Sequence, residues 1–303
     1  MKILKIVGYI LLFFFMFAVF LYWTFPYNIL KDRLISSVEE QLGSEYDVKI
    51  EDFSPSFFTG AVLKNVRIMK YDGDNVAPIW RAEKVRLRAG MGSLLFGGTR
   101  VNFSIKNKDS EFSGSFRKND DGFAFAGEFD DFNIGDFGIL KVKSGVGFAS
   151  QIDGTVDLNI DKARMIRSSG KVDLDLDDMG LAAGELKLGE GGVFELPDIA
   201  FSKGSGSSLK FEISKGVIKV TEFKLTGGDL AIDVAGEVYM SSVLKNYRMN
   251  LRGKFSATKK FEEAVPLLFM VEKQKQPDGS YPINITGRLS QPAIKVGEFT
   301  LPF

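Results

Sequence analysis

The residues of this chain that come closest to a chemical site are the aspartates of the stretch DLDLDDMG, which are Asp173, Asp175, Asp177 and Asp178. Calcium prefers such carboxylate ligands, but an EF-hand loop needs glycine at its sixth position and glutamate at its twelfth. The chain has Asp178 and Gly184 at those positions. A spacing of two along a strand instead places alternate side chains on one face of a sheet. We therefore predict a solvated acidic face, with no metal ion and no cofactor.

Two residue types that carry much of enzyme chemistry are missing, because the 303 residues include no histidine and no cysteine. The chain thus lacks the commonest general base, every Ser-His-Asp arrangement and the thiol nucleophile. Catalysis would depend on carboxylates, lysine or tyrosine alone, as in some glycosidases. We predict that the protein is not an enzyme. A carboxylate-dependent hydrolase acting on envelope glycans is the alternative that stays open.

The net charge excludes a further class of partner. Lysine and arginine number 39 and are balanced by 39 aspartates and glutamates. A neutral balance predicts no basic field that would attract nucleic acid or acidic lipid. We therefore expect no nucleic-acid partner.

From Val48 onward, apolar and polar residues alternate, which is typical of half-buried strands. Clear examples are VNFSIKNK, which begins at Val101, and VIKVTEFKL, which begins at Val217. Turn signals such as Asp121-Gly122 and Gly227-Gly228 separate these runs. The pattern predicts a mainly β fold with a dozen or more antiparallel strands.

Two segments repeat one pattern, GTVDLNID from Gly154 and GKVDLDLD from Gly170. Their apolar residues point to one face and their polar residues to the other, and the phenylalanines before them alternate in the same way. The predicted apolar face consists of Phe123, Phe125, Phe129, Val156, Leu158, Ile160, Val172, Leu174 and Leu176. This face is a dry core if the sheet folds on itself, and a groove for an apolar ligand if the sheet stays open.

The N-terminus carries twenty residues without a charged side chain, from Ile6 to Phe25. A helix of that length spans about 30 Å, the thickness of the hydrocarbon core of a bilayer. The run ends in aromatic residues and Pro26, with no signal-peptidase site, so we predict an anchor that is retained. Lys2 and Lys5 precede it. The positive-inside rule then places the N-terminus in the cytoplasm and the bulk of the chain in the periplasm, anchored by a single pass in the inner membrane.

Helical periodicity follows the anchor and ends at a stop provided by Gly43, and the apolar residues near one stripe are Ile29, Leu30, Leu34, Val38 and Leu42. This amphipathic helix is expected either to lie on the lipid headgroups or to cap the next domain. The predicted division is a cytoplasmic tail at 1–5, a transmembrane anchor at 6–25, the amphipathic helix at 26–43 and a periplasmic β-rich domain at 44–303.

A second helical segment is predicted in the run TKKFEEAVPLLFMVEKQKQPDG near the C-terminus. Thr258 is a candidate cap at its start, because a threonine hydroxyl accepts a hydrogen bond from the first turn. Pro266, in the middle of the run, is expected to bend or delay the helix.

The N-terminal layout of anchor, aromatic-proline exit, amphipathic helix and the run YDVKIEDFSPSFFTGAVLKNVRI resembles the start of AsmA-like proteins, and most closely the type II secretion system protein N (GspN) family. The residues that carry this resemblance are Phe57, Phe58, Gly60, Leu63, Asn65, Val66 and Ile68. The closing segment YPINITGRLSQPAIKV is similar to the segment that closes these proteins, through Gly287, Leu289, Pro292 and Ile294.

The resemblance implies an inner-membrane protein whose periplasmic part is a long curved antiparallel sheet, the AsmA-like β-groove, with no catalytic residues. Its implied function is that of a non-enzymatic component of the type II secretion system, in contact with inner-membrane lipids and other secretion components. The wider group implies an alternative, in which the protein binds or transfers lipid and shields phospholipid acyl chains on the apolar face.

Overall fold

A computed structural model of the chain describes residues 8–9, 12–13, 15–17, 20, 27–56, 59–72, 75–90, 99–136, 138, 146–187, 193–264 and 266–301. The tail at 1–5 and both ends of the predicted anchor, Ile6 and Phe25, lie outside these residues. The described positions between those ends, such as Leu12 and Met16, are helical and have exposed side chains. Within the described part of the chain, no helix is both long and apolar enough to cross a membrane. The anchor therefore stays a prediction.

Helix α1, Tyr27–Leu42, precedes a long succession of strands. The strands are β1 Tyr46–Ser56, β2 Gly60–Asp72, β3 Asn75–Ala89, β4 Thr99–Asn107, β5 Ser110–Asn119, β6 Gly122–Asn133, β7 Phe148–Asp161, β8 Ser169–Leu181, β9 Gly184–Lys187, β10 Val193–Leu196, β11 Ile199–Ala200, β12 Ser208–Ser214, β13 Val217–Leu225, β14 Leu230–Tyr239, β15 Arg248–Ala257, β16 Tyr281–Arg288, β17 Gln291–Val296 and β18 Phe299–Thr300. Helix α2, Lys259–Ala264, and a 3-10 helix, Pro266–Gln274, separate β15 from β16. Shorter 3-10 turns are Ile134–Asp136, Met165–Arg167 and Leu244–Asn246.

These strands form one antiparallel sheet of 16 strands, and only β9 and β10 lie apart from it as a separate hairpin. Neighbours in the sheet are also neighbours in the chain, except that β8 pairs with both β12 and the short β11. The terminal strands of the described sheet do not pair with each other, so the sheet is open. The prediction of a mainly β, antiparallel fold is confirmed.

Helix α1 covers the beginning of the sheet. Leu34, Ile35 and Val38 pack on a buried cluster contributed by β1, β2 and β3, which consists of Val48, Ile50, Leu63, Val66, Ala82 and Val85. The carboxylate of Glu39 also accepts a hydrogen bond, 3.0 Å long, from the backbone N–H of Val48 on the outermost strand. Satisfying an edge-strand donor in this way reduces the tendency of the edge to pair with another chain. The helix was expected either to lie on lipid headgroups or to cap the next domain. In the structure it caps the sheet.

The 3-10 helix Pro266–Gln274 covers the other end of the sheet. Val271 packs with Tyr281 of β16 and Val296 of β17 in a second buried cluster. The Thr258 hydroxyl accepts a hydrogen bond of 3.3 Å from the N–H of Phe261, as predicted for the cap of α2. The α-helical turns end at Ala264, before Pro266, which has no N–H to continue them.

Candidate functional site

The register of the sheet brings all of the predicted apolar residues to one face. Phe123, Phe125 and Phe129 of β6 lie directly opposite Ile160, Leu158 and Gly154 of β7. Val156 of β7 lies opposite Val172 of β8, while Leu174 and Leu176 lie opposite Gly154 and Ile152. Directly paired residues in an antiparallel sheet share a face and contact each other. The sequence-based grouping of these side chains is therefore correct in the structure.

The same face extends almost the full width of the sheet, well beyond the nine residues that were named from the sequence. One row of paired positions consists of Leu87, Phe103, Gly114, Gly127, Val156, Val172, Phe211, Val220, Gly236, Leu251, Ile285 and Ile294. The adjacent row consists of Val85, Ile105, Phe112, Phe129, Gly154, Leu174, Leu209, Phe223, Val234, Gly253, Ile283 and Val296. Each position in both rows is apolar or glycine. We call this surface the apolar face.

A cluster of phenylalanines forms the part of the apolar face on β4, β5 and β6. The ring of Phe112 stacks on that of Phe129 at a centroid distance of 4.4 Å and meets Phe103 edge to face at 5.0 Å. Phe103 and Phe125, two strands apart, approach to 6.2 Å. Such ring pairs add about 0.5–1.5 kcal/mol each beyond the area that they bury. The rings on this part of the face therefore stabilise one another.

Glycines on the apolar face make room for these rings. A Cβ on Gly127 would lie 3.0 Å from the ring of Phe125 and 3.1 Å from that of Phe112. A Cβ on Gly170 would lie 2.9 Å from a methyl group of Leu158. These distances are shorter than normal van der Waals contacts, so a side chain at either position would displace its neighbour. The glycines let large side chains lie along the sheet surface.

Helices cover the two ends of the apolar face, and none of the described helices packs on its middle. In the middle, Val172 and Leu176 are buried, but Phe125, Leu158 and Leu174 are only half-buried. Phe103, Phe112, Phe129, Leu209, Phe211 and Phe223 are also half-buried. The apolar face thus resembles a core whose second layer is missing.

The opposite face of the sheet is polar and partly ion-paired. One of its rows consists of Arg86, Ser104, Ser113, Glu128, Thr155, Asp173, Lys210 and Glu222. The Lys210 ammonium lies 3.1 Å from the Asp173 carboxylate, and this hydrogen bond raises the pKa of Lys210. Exposed pairs of this kind contribute little to stability. Here the prediction of a solvated polar face agrees with the structure.

Asp177 departs from that prediction. Its Oδ1 atom is buried and accepts no hydrogen bond from the described residues. Burial, followed by repulsion from Asp175, Asp178 and Asp153, raises the pKa of Asp177. Desolvation and like charges both favour the protonated carboxyl. Within the described residues, no group of carboxylates is arranged to hold a metal ion.

Replacing Asp177 with asparagine should therefore stabilise the fold at pH 7. The folded state holds the proton of Asp177 more tightly than the unfolded chain, so the stability of the wild type rises as the pH falls through the raised pKa. The advantage of Asp177→Asn should shrink over the same range, and thermal unfolding at pH 7 and at successively lower pH measures it. Asp157→Asn, at an exposed position on the same face, is the control. A rise in Tm with added calcium that Asp177→Asn abolishes would contradict this interpretation and indicate a metal site.

The sequence did contain a signal for the wider apolar face. The runs VIKVTEFKL and YRMNLRGKF, which form β13 and β15, alternate as clearly as the strands that led to the prediction. What alternation does not specify is strand order. The pairing of β8 with β12 passes over β9, β10 and β11, and it joins the two halves of the apolar face.

Comparisons of this chain with protein-family models, with curated proteins and with solved structures find no match.

Proposed function

We propose that the open sheet curves into a groove and that its apolar face binds the acyl chains of phospholipid. The observation that carries this proposal is the middle of the apolar face, which no described helix covers and where large side chains such as Phe125 and Leu158 are only partly buried between two helix-covered ends. Contiguous exposed apolar surface of this extent is typical of binding sites for apolar partners. Because the face is lined by hydrocarbon and aromatic groups, the partner should be hydrocarbon too.

The energetics suit an acyl chain. Burial is worth about 0.8 kcal/mol per methylene, so a chain of about sixteen carbons gains on the order of 10 kcal/mol relative to water. From β4 to β14 the sheet has the width of seven strand spacings, about 34 Å. The bilayer offers an acyl chain a similar gain, so the lipid can exchange between the two. Binding or transfer of lipid therefore needs no catalytic residue.

Native mass spectrometry tests this proposal directly. The fragment from Tyr27 to Phe303, purified from cells under mild conditions, should carry phospholipid in less than one copy per protein. The lipid should persist after transfer to detergent-free buffer, because acyl chains on the apolar face are shielded from water. A fragment that is folded and free of lipid under every mild condition would contradict the proposal.

A second proposal is that the chain is a non-enzymatic component of the type II secretion system. Its support is the resemblance described above, and the two segments that carry it form the hairpins β1–β2 and β16–β17 at opposite ends of the sheet. Neighbouring genes for a secretion ATPase and pseudopilins would favour this function, and a location among lipid-biogenesis genes would favour lipid handling.

Both proposals place the sheet in the periplasm, which predicts the behaviour of reporter fusions. Alkaline phosphatase fused after Phe303 should be active, because the enzyme folds only outside the cytoplasm. The same reporter fused after Lys5 should be inactive, since the positive-inside rule keeps that tail in the cytoplasm. A stable but inactive full-length fusion would overturn the topology, and cleavage of the chain between residues 18 and 30 would overturn the anchor.

A further inference from the structure

One end of the strands carries a set of connected turns. They are the turns between β7 and β8 (162–168), β12 and β13 (215–216), β14 and β15 (240–247), and β16 and β17 (289–290). The carbonyl of Gly216 accepts a hydrogen bond from the N–H of Met240 at 2.9 Å, and that of Tyr247 accepts one from Leu289 at 2.8 Å. A Cβ on Gly216 would lie 3.4 Å from Ile166. We call this line of turns, with the strand ends beside it, the basic rim.

Large apolar side chains protrude from the basic rim into solvent. Ile166 is 68% exposed, Val243 45%, Leu244 64% and Leu289 45%. They lie at the tips of turns, away from the half-buried rows of the apolar face. Single exposed apolar residues are common on protein surfaces, but here three of the four turns present one or more. At about 4.8 Å per strand, these tips are spread over roughly 30 Å.

Basic side chains flank the apolar tips. The exposed ones include Arg164, Arg167, Lys215, Lys245, Arg248 and Arg288. Among the ion pairs formed by described residues, none includes any of these side chains. Arg248 and Arg288 moreover lie directly opposite each other on β15 and β16. Like charges in that position destabilise a sheet, so an anion from outside would relieve a repulsion that is built into the fold.

The net charge of zero does not reflect how the charges are distributed between the two ends of the strands. Exposed acidic residues collect at the opposite end of the strands, and among them are Asp109, Asp130, Asp131, Asp178, Asp198, Glu263 and Glu298. The turn between β5 and β6, which carries Asp120 and Asp121, marks where the basic rim stops. The basic rim therefore has an excess of positive charge, whereas the opposite end, where Lys203 and Lys259 are also exposed, carries mixed charge.

We propose that the basic rim binds the surface of an anionic phospholipid bilayer. Apolar tips spread along a line fit a surface that is apolar beneath its headgroups, and the neighbouring lysines and arginines can reach the phosphates. An acidic protein would satisfy the charges but would leave Ile166, Leu244 and Leu289 against a polar surface. This binding depends neither on the proposed acyl-chain groove nor on the predicted anchor. It would hold the basic end of the strands against the membrane.

Site-specific labels test the proposal, and the absence of native cysteine makes single labels straightforward. The full chain is prepared with one cysteine in place of Leu244 or Leu289, labelled with an environment-sensitive fluorophore, and incorporated in vesicles that contain brominated phospholipid. Cysteine in place of Phe269, which is 79% exposed at the opposite end of the strands, is the control. We expect the bromines to quench the Leu244 and Leu289 labels in vesicles with phosphatidylglycerol, to a smaller extent in pure phosphatidylcholine, and the Phe269 label in neither.

Charge reversal supplies the second measurement. Each basic side chain near an anionic surface favours binding roughly fivefold. The double variant Arg164→Glu, Arg167→Glu should therefore bind less. The ratio of protein with its basic rim on the bilayer to protein with its rim in solution, measured with the label at position 244, should fall by roughly 25-fold or more. The matched pair Lys203→Glu with Lys259→Glu, also exposed but at the opposite end, should leave that ratio unchanged.

Two results would overturn the proposal. One is quenching of the Leu244 and Leu289 labels that equals that of the Phe269 label in vesicles with phosphatidylglycerol. The other is a rim label that brominated lipid does not reach but that added polyglutamate shields, which would indicate a site for an acidic protein.

Discussion

Aspartate in place of Phe125 should remove bound phospholipid from the fragment that starts at Tyr27, and Leu158→Asp should do the same. The two residues lie directly opposite each other on β6 and β7, in the middle of the apolar face. A charge there must either stay hydrated or lose water against an acyl chain, at a cost of about 3 kcal/mol or more. That cost corresponds to a loss of affinity of roughly a hundredfold. Native mass spectrometry of the wild type and both variants, purified side by side, measures it.

The matched control is Asn159→Asp. It adds the same charge one residue from Leu158, but Asn159 is exposed on the polar face of β7. Bound lipid should be unchanged in this variant. The prediction would be wrong if the wild type carried no lipid and Phe125→Asp unfolded the fragment cooperatively. That result would show that the apolar face is a closed core. The role in the type II secretion system would then be the remaining proposal.

Tyr281→Ala should cause the largest loss of stability at the C-terminal end of the sheet. Tyr281 is the first residue of β16 and is almost completely buried against Val271 of the 3-10 helix. Its ring stacks on that of Phe255 at a centroid distance of 5.0 Å. Removing a buried aromatic ring costs about 3–5 kcal/mol, because the cavity cannot collapse fully. Urea denaturation followed by fluorescence measures the resulting decrease in the free energy of unfolding.

Tyr281→Phe separates the ring from its hydroxyl. The hydroxyl donates a hydrogen bond of 3.2 Å to the carboxylate of Glu262, so its removal should cost about 1.5–3 kcal/mol, less than loss of the whole ring. A Tyr281→Ala variant as stable as Tyr281→Phe would show that the 3-10 helix is not held on the sheet as described. If Tyr281→Ala is destabilised yet keeps its bound lipid, then packing of the 3-10 helix on the end of the sheet does not contribute to lipid binding on the apolar face.

The local pattern of the sequence determined the fold class and the sidedness of the strands. In a strand, side chains alternate with a period of two, so the apolar runs of β6, β7 and β8 are readable without any tertiary information. Phe125, Leu158 and Val172 were therefore grouped correctly from their positions alone. The Thr258 cap and the interruption at Pro266 were also predictable, because they depend on one residue and its immediate neighbours.

Only the tertiary structure decided what depends on strand order and on distance between residues far apart in the chain. The pairing of β8 with β12 makes two apolar halves one continuous face, and nothing in the alternation specifies it. Asp177 was expected to be solvated, yet the packing around Oδ1 removes water from that atom, and burial is a property of neighbours and not of residue type. Equal numbers of acidic and basic residues were taken to exclude a basic field. Antiparallel strands return repeatedly to the same two ends, and this sorts Arg164, Lys245 and Arg288 to one end of a neutral chain.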